Sequence, residues 1–156
     1  MSSIFNAIVK ARSRLYEDRY LKPKKLEHPV ISIGNLTTGG TGKTPVVIAL
    51  AGAFRDLGYQ PVVLSRGYRR ASRTTLVVSR GQGPIVSWEK AGDEPFMISM
   101  RLPNVAVVVG SNRYKAGRLA EKERLGDLFI LDDGFQHRQL ARDVDIVTVD
   151  PDDWYK

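Results

Sequence analysis

One short segment, residues 39–44 with the sequence GGTGKT, constrains the fold of this 156-residue chain more than any other feature. Before it lies an apolar run, residues 30–33, that ends at Gly34. After it, TPVVIALAGAFRDLG places apolar residues at helical spacing up to Gly58. A short apolar run, a glycine-rich loop and an amphipathic helix predict a strand–loop–helix unit, whose backbone N–H groups can converge on phosphate oxygens.

Each residue type in this phosphate loop suits a nucleotide. The predicted binding residues are Gly39, Gly40, Thr41, Gly42, Lys43 and Thr44. Lys43 would supply a positive charge to the β and γ phosphates, and the Thr44 hydroxyl can ligate Mg²⁺. Thr37 stands where the usual pattern has its first glycine. A plain glycine-rich turn with an incidental lysine is the alternative, and the flanking strand and helix argue against it.

The rest of the chain alternates apolar runs with helical patterns. Further apolar runs occupy residues 61–64, 76–78, 105–109, 128–131 and 144–149. Several lack polar alternation, as expected when helices cover both faces of parallel strands. Ser111 and Gly126 are the predicted caps of one intervening helix. The order is βαβ-like throughout, so we expect an α/β fold like that of P-loop NTPases, with a mostly parallel sheet flanked by helices.

A second group of the site follows another predicted strand. LFILDDG places Asp132 and Asp133 directly after four apolar residues. A phosphate loop needs an acidic group on the metal side, usually an aspartate at the end of a buried strand. We therefore predict Thr44, Asp132 and Asp133 as metal-site residues. Consecutive residues of a regular strand point in different directions, so both carboxylates are not expected to contact one ion directly.

The charge is strongly uneven along the chain. The net charge is +7, and there is no cysteine, which excludes disulfides, thiolate catalysis and cysteine-bearing zinc sites. Residues 66–80 hold five arginines and no acid, whereas residues 126–156 hold eight aspartates against three basic side chains. Phosphates, nucleic acid or anionic lipid are plausible partners of a basic protein. A nucleic-acid-binding arm would not usually end in such an acidic segment.

Residues 1–28 form a separate predicted unit. Ile4, Ile8, Ala11 and Leu15 lie at helical spacing, with basic residues opposite, which predicts a basic amphipathic helix followed by a linker. Such a helix can lie on an anionic membrane surface. It can equally dock on the protein's own core, and the sequence leaves both possibilities open. Residues 29–156 are predicted to form the P-loop nucleotide-binding domain.

Phosphoryl transfer also requires a group that orients or deprotonates the acceptor, together with cations. The candidates are Asp93, Glu94, Arg66, Arg113 and His137. Each has a simpler explanation on its own. Asp93 can cap the helix at Pro95, the arginines can be solvated, and His137 can be a turn residue.

Five motifs together resemble one family. They are GNLTTGGTGKTP (34–45), SRGYRR (65–70), AGDEP (91–95), SNR (111–113) and LDDGFQHRQLARDVDIV (131–147). Their order and spacing are similar to those of the tetraacyldisaccharide 4'-kinases of lipid A synthesis. The resemblance implies ATP- and Mg²⁺-dependent phosphorylation of the 4'-hydroxyl of a lipid A disaccharide 1-phosphate. It also implies a peripheral protein at the cytoplasmic face of an anionic inner membrane, with no obligate protein partner.

The resemblance also assigns roles to individual residues. Lys43 and Thr44 match the nucleotide-phosphate and metal positions, and Asp132 with Asp133 matches the acidic pair. Asp93 matches the base for the sugar hydroxyl. Three further polar active-site positions match Tyr68, Arg113 and His137.

The resemblance covers only the N-terminal half of the family's members. We therefore expect the second α/β domain, and the histidine that pairs with the catalytic aspartate, to be absent from these residues. We expect little sugar phosphorylation from this chain alone.

Two other functional classes remain as alternatives. A nucleotide switch would hydrolyse ATP or GTP without a lipid acceptor. Thr38 stands where dimerising ATPases of this loop type carry a signature lysine, and no N-K-x-D guanine motif is present. A nucleic-acid-binding protein is suggested only by net charge, because no recognisable module interleaves basic and aromatic residues.

Overall fold

The computed structural model describes residues 22–35, 42–71, 73–135 and 137–149. Within these ranges, the chain forms six strands and four helices. The elements in order are β1 (Val30–Asn35), α1 (Lys43–Asp56), β2 (Pro61–Ser65), β3 (Leu76–Arg80), α2 (Trp88–Ala91), α3 (Asp93–Arg101), β4 (Ala106–Val109), α4 (Arg113–Lys122), β5 (Leu128–Asp132) and β6 (Val144–Thr148). The strand–loop–helix unit predicted around the phosphate loop is confirmed at β1 and α1.

The strands form one sheet in the order β3-β4-β2-β5-β1-β6. All neighbouring pairs are parallel except β3 and β4. The predicted mostly parallel sheet is confirmed, but the expectation of βαβ order throughout is wrong at two connections. Among the described residues, no helix separates β2 from β3 or β5 from β6. A parallel connection needs a crossover, usually helical, and β3 runs antiparallel to its neighbour β4.

Helices cover both faces of the sheet. On one face, α1, α2 and α3 pack on a buried cluster that includes Val63 and Ile130. On the other, α4 packs on a cluster that includes Val62 and Phe129. Because neighbouring residues of β2 and β5 face opposite clusters, both strands are apolar up to their last residues, Ser65 and Asp132.

The predicted caps of α4 are wrong by a few residues. The N-cap is Asn112, whose side-chain Oδ1 accepts from the Lys115 N–H at 3.1 Å. The helix ends at Lys122, before Gly126. Ser111 and Asn112 are both good capping residues, so only the start of the helix distinguishes them.

The predicted amphipathic helix lies in residues 1–21, outside the described residues, so its docking and the domain boundary after residue 28 stay predictions. The segment that follows contacts the domain. Lys24 forms a parallel bridge with Leu140, and Leu26 is buried in the cluster beneath α4. Among the helices that the structure describes, none combines the length and the apolar character of a membrane-spanning segment.

Candidate functional site

The candidate site lies at the carboxyl edge, the edge of the sheet where the parallel strands β1, β2, β4 and β5 end. Asn35, Ser65 and Asp132 are the last residues of β1, β2 and β5. In β5, Leu131 pairs with Leu64 of β2, and Asp132 pairs with Ile33 of β1. These pairings bring the three terminal polar side chains to one place. In open α/β sheets, ligands bind at this edge.

Gly42 and Lys43 open helix α1 at this edge. Gly42 is the N-cap with a φ of 72°, a left-handed conformation that favours glycine. Lys43 Nζ donates to Asn35 Oδ1 at 2.9 Å and lies 3.4 Å from Asp133 Oδ1. The first turn carries no acidic residue, so its unpaired N–H groups favour an anion. Gly39, Gly40 and Thr41 lie outside the described residues.

Asp132 is a buried carboxylate with a specific partner. Its side chain is only 3% exposed, and its Oδ2 accepts from the Ser65 hydroxyl at 3.0 Å. Burial raises the pKa of Asp132 to about 6, against the opposing effect of the Ser65 hydrogen bond. Smaller contributions from Glu94 and Asp133 also raise this pKa, whereas Arg113 lowers it. A perturbed carboxyl group in this position is typical of a functional site.

Asp133 leaves the strand and takes a different direction. Its φ is 53°, its side chain is 57% exposed, and it faces Lys43. Arg142 holds the following turn by donating to the carbonyl oxygens of Gly134 and Phe135 at 3.3 and 2.9 Å. The two adjacent carboxylates therefore have different partners, as expected, but the cause is the turn at Asp133 rather than the alternation of a regular strand.

The chemistry of these side chains fits Mg²⁺. Thr44 offers a hydroxyl and Asp132 and Asp133 offer carboxylates, all hard oxygen donors. Among the described residues, no cluster of three or more His, Cys, Asp or Glu side chains could form an all-protein metal cage. Mg²⁺ at phosphoryl-transfer sites uses one or two carboxylates together with substrate phosphates and water, so the small donor set is sufficient.

Arg113 and His137 meet behind the carboxylate pair. Arg113 is 3% exposed, so the simple explanation of a solvated arginine is wrong. Burial lowers the pKa of its guanidinium to about 10, with a further lowering from Arg66 and an opposing effect from Asp133 and Asp132. Its Nε is buried without a hydrogen-bond partner in the described structure. The Arg113 backbone N–H donates to His137 Nε2 at 3.3 Å, which requires that nitrogen to be unprotonated.

Tyr68 and Asp93 lie on two turns that pack together. A Cβ added at Gly92 would lie 3.1 Å from Gly67 Cα and 3.3 Å from the Tyr68 carbonyl oxygen. Asp93 is exposed and is the first residue of α3, while Gly92 is the N-cap without a side-chain cap bond. Asp93 therefore does not cap the helix, although its charge suits the helix N-terminus. Tyr68 is 64% exposed, and Arg69 stacks over its ring at 5.2 Å.

A sequence profile of the family described as "Tetraacyldisaccharide-1-P 4'-kinase" (LpxK) matches residues 1–155. The chain belongs to the tetraacyldisaccharide 4'-kinase family. The match of the family profile confirms the resemblance that the five sequence motifs indicated.

Individual family members agree with this assignment. The chain is 49% identical over 146 residues to a tetraacyldisaccharide 4'-kinase of Aquifex aeolicus, covering 94% of this chain and 46% of the relative. It is 46% identical over 150 residues to that of Pelobacter propionicus, covering 96% of this chain and 42% of the relative. The chain thus spans less than half the length of these curated relatives.

One solved structure has the same fold. The crystal structure of "apo" form LpxK from Aquifex aeolicus in complex with ATP superposes with a TM-score of 0.91 at 47% sequence identity. The match covers 99% of this chain and 48% of that chain. It confirms the predicted fold, and the ATP in the related structure supports ATP as the nucleotide of the tetraacyldisaccharide 4'-kinase family.

Sequence reasoning missed two polar residues of the candidate site. Asn35 holds Lys43, and Ser65 holds Asp132. Both stand just beyond a predicted apolar run, residues 30–33 or 61–64. The available signal is a polar residue within two positions of the end of such a run, and both residues also lie in the motifs of the family resemblance, 34–45 and 65–70.

Because the Asp132 carboxylate is buried, we expect the free energy of unfolding to depend on pH. Its folded-state pKa of about 6 lies above the ordinary aspartate value, so the native state binds the proton more tightly than the unfolded state. The free energy of unfolding therefore falls as the pH rises from about 4 to about 6. In EDTA without nucleotide, Asp132→Asn should raise it by roughly 1–3 kcal/mol at pH 7.5 and change it little near pH 4.

Urea unfolding at both pH values measures this difference. Asp133→Asn is the matched control, because Asp133 is exposed and its replacement should give no comparable gain. Equal unfolding midpoints for the parent and Asp132→Asn at pH 7.5 would contradict the claim that burial of the ionised Asp132 carboxylate destabilises the fold.

Proposed function

We propose that this chain is the nucleotide-binding half of a kinase that phosphorylates the 4'-hydroxyl of tetraacyldisaccharide 1-phosphate in lipid A synthesis. The convergence of Lys43, Asp132 and Arg113 at the carboxyl edge carries the proposal, because it combines phosphate-binding cations with a metal-binding carboxylate. Membership of the tetraacyldisaccharide 4'-kinase family supports the acceptor. Since the chain spans less than half of its relatives, the complete reaction is proposed for the complete enzyme.

In this proposal the phosphate loop binds the triphosphate of ATP. Backbone N–H groups from Gly39 to Gly42 and the first turn of α1 would face phosphate oxygens. Lys43, already oriented by Asn35 and Asp133, would bind the β and γ phosphates. This preorganised position reduces the entropy lost when the nucleotide binds.

Thr44, Asp132 and Asp133 are the proposed residues for Mg²⁺. When bound, the ion neutralises the charge of the phosphates and holds them in line for transfer. Ser65 fixes the Asp132 carboxylate, and the exposed Asp133 balances Lys43.

Asp93 is the proposed general base. Its carboxylate would accept the proton of the acceptor 4'-hydroxyl while that oxygen attacks the γ-phosphorus. The bond from the γ-phosphorus to the β–γ bridging oxygen breaks, and ADP leaves. Arg113 would stabilise negative charge on the transferring group, since its buried Nε has no protein partner in the described structure. His137 orients Arg113 through its backbone, and Tyr68 is a proposed polar contact for the acceptor.

A label-transfer assay tests the proposal. This chain, and a chimera in which it replaces the matching segment of the Aquifex aeolicus relative, are incubated with γ-labelled ATP, Mg²⁺ and tetraacyldisaccharide 1-phosphate. The Aquifex aeolicus relative itself is the positive control. Label transferred to the lipid by the chimera supports the kinase. Label released only to water supports the nucleotide switch, and a folded chimera that consumes no ATP contradicts both.

Family membership favours the kinase over the switch. The alternative of a P-loop ATPase or GTPase without an acceptor explains Lys43 and Asp132. It does not account for the turn that presents Asp93 beside Tyr68. We propose no nucleic-acid partner and no obligate protein partner.

The proposal includes a peripheral location at the cytoplasmic face of an anionic inner membrane. The amphipathic helix predicted within residues 1–28 would lie on that surface, where each basic side chain contributes about 1 kcal/mol. Deletion of residues 1–20 should therefore weaken binding to anionic vesicles by roughly tenfold or more, as measured by cosedimentation. Neutral vesicles are the control. An unchanged partition coefficient would mean that the helix docks on the protein's own core.

A further inference from the structure

Residues 24–27, which we call the clamp segment, contact two separate parts of the domain before β1 begins. The first is the loop between β5 and β6. The Lys24 N–H donates to the Gln139 carbonyl oxygen at 2.8 Å, and the Ala141 N–H donates to the Lys24 carbonyl oxygen at 2.9 Å. These two hydrogen bonds flank the bridge between Lys24 and the buried Leu140. The clamp segment is therefore fixed to this loop through its backbone.

The second part is helix α4, which Leu26 contacts. Leu26 is 3% exposed and belongs to the cluster beneath α4. A Cβ added at Gly117 of α4 would lie 2.3 Å from Leu26 Cδ1, so the glycine provides the space for the leucine. The Glu27 N–H donates to Glu121 Oε1 at 2.6 Å, and Glu27 Oε1 accepts from Arg118 Nη1 at 2.8 Å. Because exposed ion pairs contribute little, the buried Leu26 is the main attachment to α4.

The loop and the helix that the clamp segment joins also meet at the candidate site. Arg113 is the first residue of α4, and its N–H donates to His137 Nε2 at 3.3 Å. The first N–H groups of a helix have no acceptor within the helix, so this one depends on the imidazole. His137 lies in the same loop as Leu140, and Gly117 follows Arg113 by four residues on the same face of α4. The helix and the loop are thus joined both at the site and through the clamp segment.

We propose that Leu26 is a positioning residue, which keeps Arg113 in place for the transferring phosphoryl group by holding α4 against the loop that carries His137. This inference rests on the proposed function, in which Arg113 stabilises charge on that group. The side-chain contacts of Arg113 are weak. Its Nε has no hydrogen-bond partner in the described structure, and its Nη1 donates to the Ser111 carbonyl oxygen at 3.3 Å, a long bond. The position of the guanidinium therefore depends on the position of α4.

Label-transfer rates of the chimera test the inference, at a temperature where every variant has a native circular dichroism spectrum. Leu26→Ala should lower kcat by roughly 10-fold to 100-fold, because a small displacement of a group at the reacting centre has an effect of this size. The KM for ATP should not change, since α1 packs on the opposite face of the sheet. Leu26→Met, which keeps the side-chain volume, should restore most of kcat. Leu102→Ala is the matched control, because Leu102 is also 3% exposed but lies in the cluster beneath α3. It should lower the thermal midpoint similarly and retain kcat.

Hydrogen exchange of the Arg113 amide, measured by NMR on the 156-residue chain, tests the same inference without turnover. Exchange at this amide reports the contact with His137 directly. It should become roughly 10-fold faster or more in Leu26→Ala and should change less in Leu102→Ala. Gly117→Ala is a second variant that acts from the helix, because its new methyl group must displace Leu26. It should also speed this exchange, although alanine favours a helix more than glycine does.

The outcomes distinguish this inference from the proposed function. An unchanged kcat in folded Leu26→Ala, or an equal loss of kcat in Leu102→Ala, overturns the role of Leu26 and leaves the kinase proposal intact. A change confined to the KM for ATP also overturns it. A folded parent chimera that transfers no label overturns the proposed function. Exchange at the Arg113 amide then still decides whether Leu26 holds Arg113, and unchanged exchange in both Leu26→Ala and Gly117→Ala would show that it does not.

Discussion

Lys43→Ala should weaken Mg-ATP binding by roughly 100-fold or more and abolish turnover while the fold remains intact. Lys43 is the first residue of α1, and Asn35 and Asp133 aim its ammonium group into the carboxyl edge. Charge-assisted hydrogen bonds to phosphate contribute about 1.5–3 kcal/mol each, so the loss of two gives this factor. The substitution also leaves Asp133 without its counter-charge, which adds repulsion against the phosphates.

Calorimetric titration of Mg-ATP into the parent and the variant measures this effect. Folding should not suffer, because Lys43 and Asp133 form a partly exposed ion pair worth at most about 1 kcal/mol. Lys90→Ala is the matched control, since Lys90 is an exposed lysine of α2 and should bind ATP normally when replaced. Undiminished ATP affinity in Lys43→Ala with a native circular dichroism spectrum would refute the assignment of the phosphate loop.

Asp93→Asn should lower kcat of the chimera by roughly 10²–10⁴-fold with little change in the KM for ATP. The amide cannot accept the proton of the acceptor hydroxyl, whereas it keeps the size of the side chain. Asp93 lies at the exposed start of α3, and its turn is fixed by the packing of Gly92 on Gly67. A change confined to kcat therefore separates the base from a general effect on nucleotide binding.

Initial rates of label transfer at saturating ATP measure this change. Glu89→Gln removes an exposed carboxylate from neighbouring α2 and should retain the parent rate. A nearly full rate in Asp93→Asn would reduce Asp93 to an acidic residue of a helix N-terminus, where it would contribute only to stability.

The sequence predicted those parts of the site that depend on local pattern. The strand before the phosphate loop, the helix after it and the buried strand ending at Asp132 each have a short-range signal of apolar spacing or glycine. The predicted divergence of Asp132 and Asp133 is found, because one carboxylate meets Ser65 and the other Lys43. Its cause was not predicted, since Asp133 lies beyond β5 in a left-handed conformation.

Other features depend on which strands are neighbours. Ser65 reaches Asp132 only because β2 lies beside β5, although 67 residues separate them along the chain. The antiparallel β3 has an apolar run like those of the parallel strands, so its direction is not visible in its sequence. Arg113 begins a helix whose other charged residues suggest solvent exposure. The burial of Arg113 becomes evident only in the folded structure, where α4 packs on one face of the sheet.

A crystal structure of this chain with ATP and Mn²⁺ in place of Mg²⁺ tests the central claim most directly, because Mn²⁺ is located by its anomalous scattering. The account predicts the triphosphate at the N-terminus of α1 with Lys43 on its β and γ phosphates. It also predicts an anomalous peak bound by Thr44 and by a carboxylate of the Asp132–Asp133 pair. A triphosphate bound elsewhere, or a peak with both carboxylates turned away from it, would contradict the claim that this edge of the sheet performs phosphoryl transfer.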